Sequence, residues 1–303
     1  MKNFADAERL CQTAFLNAGP IWFASSPGKD TPVLFVSHDD FVFVMNCIAQ
    51  MAYSHPDVRI ISFVVMNNHF HFVIASRTES EIKAFFSSLT KRLSRILPQI
   101  KDLDLDIRRV DSLNSLRNRI VYTHRNGYVA DCDCTPFSYP WGTGSLYFNP
   151  ERIEGRMSSL NVEARRHMFK GRDPKLPSEW GLVDDYVSPA SYCSIAQGMS
   201  SFRNARHYFM QLTKNVEAYS EIATELDDEE YLTDGEVYSI VLKTARDQYG
   251  QASIRELTKG QRLDLARTLH YEFQSSNGQI RRVLGLSQYE IDSMFPLSKR
   301  ISN

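Results

Sequence analysis

Two apolar runs, Arg59–Met66 and His69–Ser76, stand back to back with only Asn67-Asn68 between them. No other stretch constrains the fold as much. Both runs are rich in Val, Ile and Phe, which suit a pleated, half-buried surface. Asparagine tolerates left-handed backbone angles, so the two asparagines fit a tight junction between strands. The second run carries His69 and His71 with Phe70 between them. Side chains two residues apart in a strand project the same way, so the imidazoles share one face while Phe70, Phe72 and Ile74 pack on the other. Such a pair can grip one metal ion.

The flanking segments alternate between strand and helix patterns. Pro20–Ser25 reads as a strand. Ser37 with Asp40 forms a capping box that opens a helix to about Tyr53, with Phe41, Met45 and Ile48 on one face. Thr78 and Glu81 form a second box, followed by the helical stripe Ile82, Phe85, Leu89, Leu93 and Ile96. Ile107–Val110 reads as a short strand, and Ser112 to Asn126 as a helix that Gly127 stops. Strand pairs separated by helices predict an α+β fold, an antiparallel sheet with helices on one face.

The organisation expected is a domain over 1–150, a linker and helical connector over 151–235, and a helical domain over 236–303. Pro174 and Pro177 mark the linker, and Pro189–Ala223 reads as helical. In the last part Thr258 caps a helix to about Phe273, Ser276 begins a helix that stops at Gly285, and Ser287 with Glu290 opens a third. Short helices joined by a Gly-containing turn resemble a helix-turn-helix unit. Gln288 lies near the start of its last helix, and Arg281 and Arg282 are placed to meet phosphates.

No apolar run approaches the roughly 18 residues that a membrane helix needs, and no secretory leader opens the chain, so the expectation is a cytoplasmic protein without a membrane partner. Five cysteines without a Cys-x-x-Cys pair fit reduced thiols there. The net charge of −1 hides a local bias: from Lys83 to Arg125 basic residues outnumber acidic ones ten to four. Acidity collects between Glu217 and Glu236, with Glu225-Leu-Asp-Asp-Glu-Glu230 at its centre. Arg92, Arg95, Arg119 and Arg125 are the candidate phosphate contacts of the basic stretch.

On the helix from Ser112, Tyr122 and Asn126 are one turn apart on one face, whereas His124 points to the far side. His55 and His124 belong to no constellation and read as surface or loop residues. With that face of the helix beside the strand, His69, His71 and the Asn126 oxygen would surround a divalent ion, and mixed nitrogen and oxygen ligation suits manganese or magnesium. Tyr122 would then attack a bound phosphodiester, conserving the bond energy in a phosphotyrosine that a DNA hydroxyl reverses.

Val65-Met-Asn-Asn-His-Phe-His-Phe resembles the histidine-hydrophobe-histidine motif of single-tyrosine HUH transposases. Tyr122-Thr-His-Arg-Asn-Gly with Phe137-Ser-Tyr-Pro-Trp-Gly-Thr-Gly-Ser145 resembles the tyrosine helix and downstream loop of their REP-associated branch. The resemblance spans roughly residues 15–150. It implies a ferredoxin-like sheet, His69 and His71 as metal ligands with Asn126 as the third, and Tyr122 as nucleophile. It further implies single-stranded or hairpin DNA as partner, and action as a monomer or a homodimer. The chain departs from the family in having Gly127 where Pro is usual and Thr123 where Ile is favoured, and in not being basic overall. Two other readings stand beside it: a non-catalytic DNA-binding regulator on the same scaffold, and a metal-dependent nuclease that hydrolyses.

Overall fold

A computed structural model describes residues 2–28, 31, 33–100, 104–130, 134–135, 137–149, 153–214, 222–223, 225–226, 232, 234–273, 275 and 277–295. Helix α1 (Lys2–Asn17) leads into strand β1 (Ile21–Ser25), helix α2 (His38–Ser54), strands β2 (Arg59–Val65) and β3 (Phe70–Ala75), helix α3 (Glu79–Leu93), strand β4 (Asp106–Val110) and helix α4 (Leu113–Ala130). The strands form one antiparallel sheet in the order β2-β3-β1-β4. In each β-α-β unit the two strands run parallel, with a third strand inserted between them, which is the ferredoxin-like pattern. Crossovers of this kind are right-handed, so α2 and α3 fall on the same face.

Local sequence chemistry sets the ends of these elements. Ser37 and Asp40 make a reciprocal capping box at α2, as Thr78 and Glu81 do at α3. The hairpin closes through the Met66 amide donating to the His69 carbonyl at 2.8 Å, around Asn67-Asn68. The face carrying Ala24, Phe63, Val65, Phe70, Phe72 and Ile74 packs on Phe43, Ile48, Ile82, Phe85, Phe86 and Leu89. Each Val, Ile, Leu or Phe side chain among them contributes roughly 1.5–3 kcal/mol by leaving water.

The helices expected on one face are α2 and α3; helix α4 adds a layer on the other. Its Tyr122 meets His71 and Phe23, and its His124 meets Ser62. α4 also runs through Gly127 to Ala130, so Gly127 is not the stop that its position suggests. A methyl on Gly127 would stand 2.5 Å from a ring carbon of Tyr139, so glycine here admits the aromatic loop after the helix. That loop closes the free edge of the sheet. Val65 donates to the Trp141 carbonyl, Thr143 donates to the Phe63 carbonyl, and the Tyr139 hydroxyl donates to the Val65 carbonyl at 2.8 Å. Gly142 is required there, since a methyl would meet the Phe63 carbonyl oxygen at 2.5 Å.

The chain divides into two compact units, 1–228 and 229–303. Within the first, β5 (Gly155–Arg156), α5 (Val162–Met168), β6 (Gly181–Val183) and β7 (Tyr186–Val187) form a small antiparallel layer outside α2. The buried Asn46 of α2 donates to the Asp185 carbonyl and accepts from the Val187 amide. Pro189–Ala223 is not one helix: it holds a 3-10 turn (Pro189–Ser191), α6 (Ile195–Met199) and α7 (Ala205–Lys214), and 215–221 lie outside the described residues. Its helical spacing is interrupted where the Ser194 amide turns to donate to the Ile60 carbonyl.

The second unit contains α8 (Asp234–Tyr249), α9 (Lys259–Tyr271), α10 (Asn277–Leu284) and α11 (Gln288–Met294) around Val237, Val241, Leu265, Leu269, Ile280, Leu284 and Ile291. Gly285, at φ +64°, ends α10 in the left-handed region. Ser287 and Glu290 box the start of α11, as Thr258 and Gln261 box α9. Among the described residues, no helix is long and apolar enough to cross a membrane.

Candidate functional site

Strand alternation places His71 and Val73 on the α4 face, opposite Phe70, Phe72 and Ile74. His69, in the turn before β3, brings its Nε2 to 2.9 Å from Nε2 of His71, the rings inclined at 77°. Asn68 sets the tautomer of His69. Its amide nitrogen donates to the carbonyls of Gly28 (2.8 Å) and Thr31 (3.0 Å), which leaves its oxygen to accept from His69 Nδ1 at 2.6 Å. With its hydrogen on Nδ1, a neutral His69 turns the Nε2 lone pair toward His71, the form that binds metal.

α4 brings in the phenol. The Tyr122 ring lies 5.1 Å from that of His71, edge to face, and both contact Phe23. Asn126, one turn further along α4, is fully buried. The four residues read from the sequence therefore lie on the same side of the sheet, and the structure brings His71 into direct contact with both His69 and Tyr122. Each of the four is at most 1% exposed, so the site is closed to solvent in this conformation.

The 2.9 Å between the two Nε2 atoms is a hydrogen bond: with the His69 Nε2 as acceptor, His71 donates from its own Nε2, and a metal held by both rings would take the place of that hydrogen. Among the described residues, no group of three His, Cys, Asp or Glu could hold a metal. A third protein ligand would thus be of another type, such as an amide oxygen.

The candidate arginines divide into four groups. Arg119, one turn before Tyr122 and 8% exposed, stacks its guanidinium 4.8 Å over Phe23 and pairs with Glu225 at 2.5 Å. Arg92 and Arg95 belong to the other face of the sheet. Arg92 caps Phe43 and donates to the Phe169 carbonyl, and both arginines line a cavity of about 600 Å³ with Gln50, Lys170 and Arg172. Arg125 is a correction: it is 1% exposed, and its Nη1 donates to the Leu212 carbonyl on α7, so it presents no charge to a phosphate backbone. In the second unit Arg281 and Arg282 are exposed on α10, and the exposed Gln288 donates to Asp292 one turn along α11.

His124, read as a surface or loop residue, is another correction. Its Nε2 meets Ser62 Oγ (2.8 Å) and Thr143 Oγ1 (3.0 Å), and its Nδ1 meets the Tyr208 hydroxyl (2.8 Å). Burial pushes its pKa down to about 3. The side of α4 away from Tyr122 is covered by β2, the 139–148 loop and α7, so no face of this stretch is left for solvent. A polar Ser62 in the middle of an apolar strand was the sequence signal for a buried partner. Sequence reasoning also missed Arg108 and Glu225, which meet beside Arg119.

No family model matches the chain, and no curated protein or solved structure matches it.

Proposed function

We propose that this chain is a metal-dependent tyrosine transposase that cleaves and rejoins single-stranded DNA. The observation carrying this reading is the convergence of His69 and His71 on one point, with the Tyr122 ring against His71. His69 and His71 would hold a manganese or magnesium ion, with Asn126 supplying an oxygen. Such an ion polarises a bound phosphodiester and eases attack at phosphorus.

The chain's own groups supply the remainder. Asn68 holds the His69 ring in its ligating tautomer. The Tyr122 oxygen attacks phosphorus as its proton departs, a Tyr–O–P bond forms and the P–O3′ bond breaks. The leaving 3′ oxygen takes up a proton, which gives a 5′-phosphotyrosine. Because this bond replaces one phosphodiester by another, a later 3′-hydroxyl reverses it and joins strands. The partner would be single-stranded or hairpin DNA in the cytoplasm, handled by a monomer or a homodimer. The helical unit, through Arg281, Arg282 and Gln288, would add contacts to that DNA.

One observation favours a second reading. The closed, fully buried site suits a regulator that keeps the scaffold and binds DNA without cutting it. Incubation with manganese and single-stranded oligonucleotides from beside the protein's own gene, followed by a denaturing gel, separates the readings. A transposase gives a covalent adduct that Tyr122→Phe and chelation both abolish. Binding without adduct supports the regulator, and cleavage that survives Tyr122→Phe indicates hydrolysis.

A further inference from the structure

The aromatic ring of Phe23 is a floor shared by two sets of side chains. On one side are His71 and Tyr122, whose ring centroids lie 5.8 and 6.3 Å from it. On the other are two arginines. Arg108 is the direct cross-strand partner of Phe23 in the β1–β4 ladder, so its side chain leaves the sheet on the same face. Arg119 comes down from α4, one turn before Tyr122, with its guanidinium 4.8 Å over the ring. Both guanidinium groups close on one carboxylate. Glu225 offers Oε2 to Arg119 at 2.5 Å and Oε1 to Arg108, and its backbone carbonyl accepts from Arg108 Nη2 at 3.0 Å. Asp106 holds the Nε side of Arg108 at 2.6 Å.

We propose that Arg108 and Arg119 form a binding site for one phosphodiester of the DNA strand next to Tyr122, and that the Glu225 carboxylate occupies this site in the closed conformation. The proposal rests on the reading of the His69–His71–Tyr122 site as DNA-processing. A carboxylate bridging two arginines, one oxygen to each, presents the same two acceptors as the non-bridging oxygens of a phosphodiester. The charges agree. Two arginines balance Glu225 and Asp106; with Glu225 withdrawn the cluster is one positive charge in excess, which a phosphodiester neutralises. Exposure also agrees. Glu225 and Arg108 side chains are 38% and 35% exposed, whereas Arg119 is 10%, so the inner cation is fixed and the carboxylate is the replaceable partner.

The test measures fluorescence anisotropy of a labelled single-stranded oligothymidylate of about 12 residues with the full chain. The proteins compared are wild type, Glu225→Gln, Arg108→Gln and the double variant, each checked for native circular dichroism. Glu225→Gln removes one charge at a partly exposed position with almost no change of shape. It is expected to tighten binding about three- to ten-fold and to steepen the slope of log K against log salt by about 0.7, the value for one added phosphate contact on a single strand. Arg108→Gln weakens binding and cancels that gain in the double variant. Unchanged or weaker binding by Glu225→Gln, or a gain that persists without Arg108, overturns the proposal. Adducts are read in parallel on a denaturing gel, with the same proteins incubated with manganese and single-stranded oligonucleotides from beside the protein's own gene. An adduct without the Glu225→Gln gain sinks the arginine site alone, and the gain without any adduct sinks the transposase reading alone.

Discussion

The buried His124 should make the first unit acid-labile in a way that one substitution reveals. Folded His124 stays neutral down to about pH 3, against an ordinary value of 6.5. Below 6.5 the unfolded chain therefore binds a proton that the folded chain refuses, and stability falls as pH drops. Each pH unit within that window is worth about 1.4 kcal/mol, so the loss is about 2.7 kcal/mol from pH 6.5 to about 4.5, with a limit of roughly 5 kcal/mol. His124→Gln removes the titration and keeps a polar side chain for Ser62 and Tyr208. It introduces a fixed penalty of about 1–3 kcal/mol from imperfect hydrogen bonds, and this offset does not depend on pH. Urea unfolding, followed by circular dichroism at a series of pH values, gives both profiles. Other titrating groups cancel in their difference, which should shrink by about 1.4 kcal/mol per unit below pH 6.5. Parallel profiles would refute the reasoning, because they would mean that folded His124 takes up its proton as readily as the unfolded chain does.

Four further outcomes follow from the geometry. Gly142→Ala forces a methyl against the Phe63 carbonyl and should cost about 1–3 kcal/mol in a thermal melt; an unchanged melting temperature would show that the 139–148 loop does not pair with β2. Arg125→Met should alter stability but leave the salt dependence of DNA binding untouched, whereas a slope reduced by about 0.7 would restore Arg125 as a phosphate contact. Manganese at about 100 times its dissociation constant should stabilise the first unit by about 2.7 kcal/mol, an effect absent from His69→Ala and His71→Ala; equal stabilisation of all three proteins would place the ion elsewhere. Asn68→Ala frees the His69 tautomer and should weaken manganese binding about 10- to 100-fold, as read by calorimetry; unchanged affinity would show that Asn68 does not orient the ligand.

Local chemistry was legible because it depends on neighbours in sequence. The capping boxes at Ser37–Asp40, Thr78–Glu81 and Ser287–Glu290 form as their spacing predicts. The two-residue period of β3 places Phe70, Phe72 and Ile74 in the core and His71 opposite them. The His69–His71 contact with Tyr122 was legible only because two separated motifs were read together. Gly127, Arg125 and His124 were misread for a common reason. Each was judged by its own helix, and what decided its role came from elsewhere: the Tyr139 ring, the Leu212 carbonyl, and Ser62 with Tyr208.

Periodicity and capping, which act over a few residues, determined strands β1 to β4, helices α2 to α4 and α9 to α11, and the α+β class. Long-range packing decided the rest: that a layer on the far side of the sheet buries α4 all round, that His69, His71 and Tyr122 are sealed from water, and that Glu225 closes on Arg108 and Arg119. Glu225 and Arg108 are more than a hundred residues apart in the chain. A carboxylate and a guanidinium at that separation carry no mark of each other in sequence. Only the folded chain, which sets their side chains against one another, turns two ordinary surface charges into a pair.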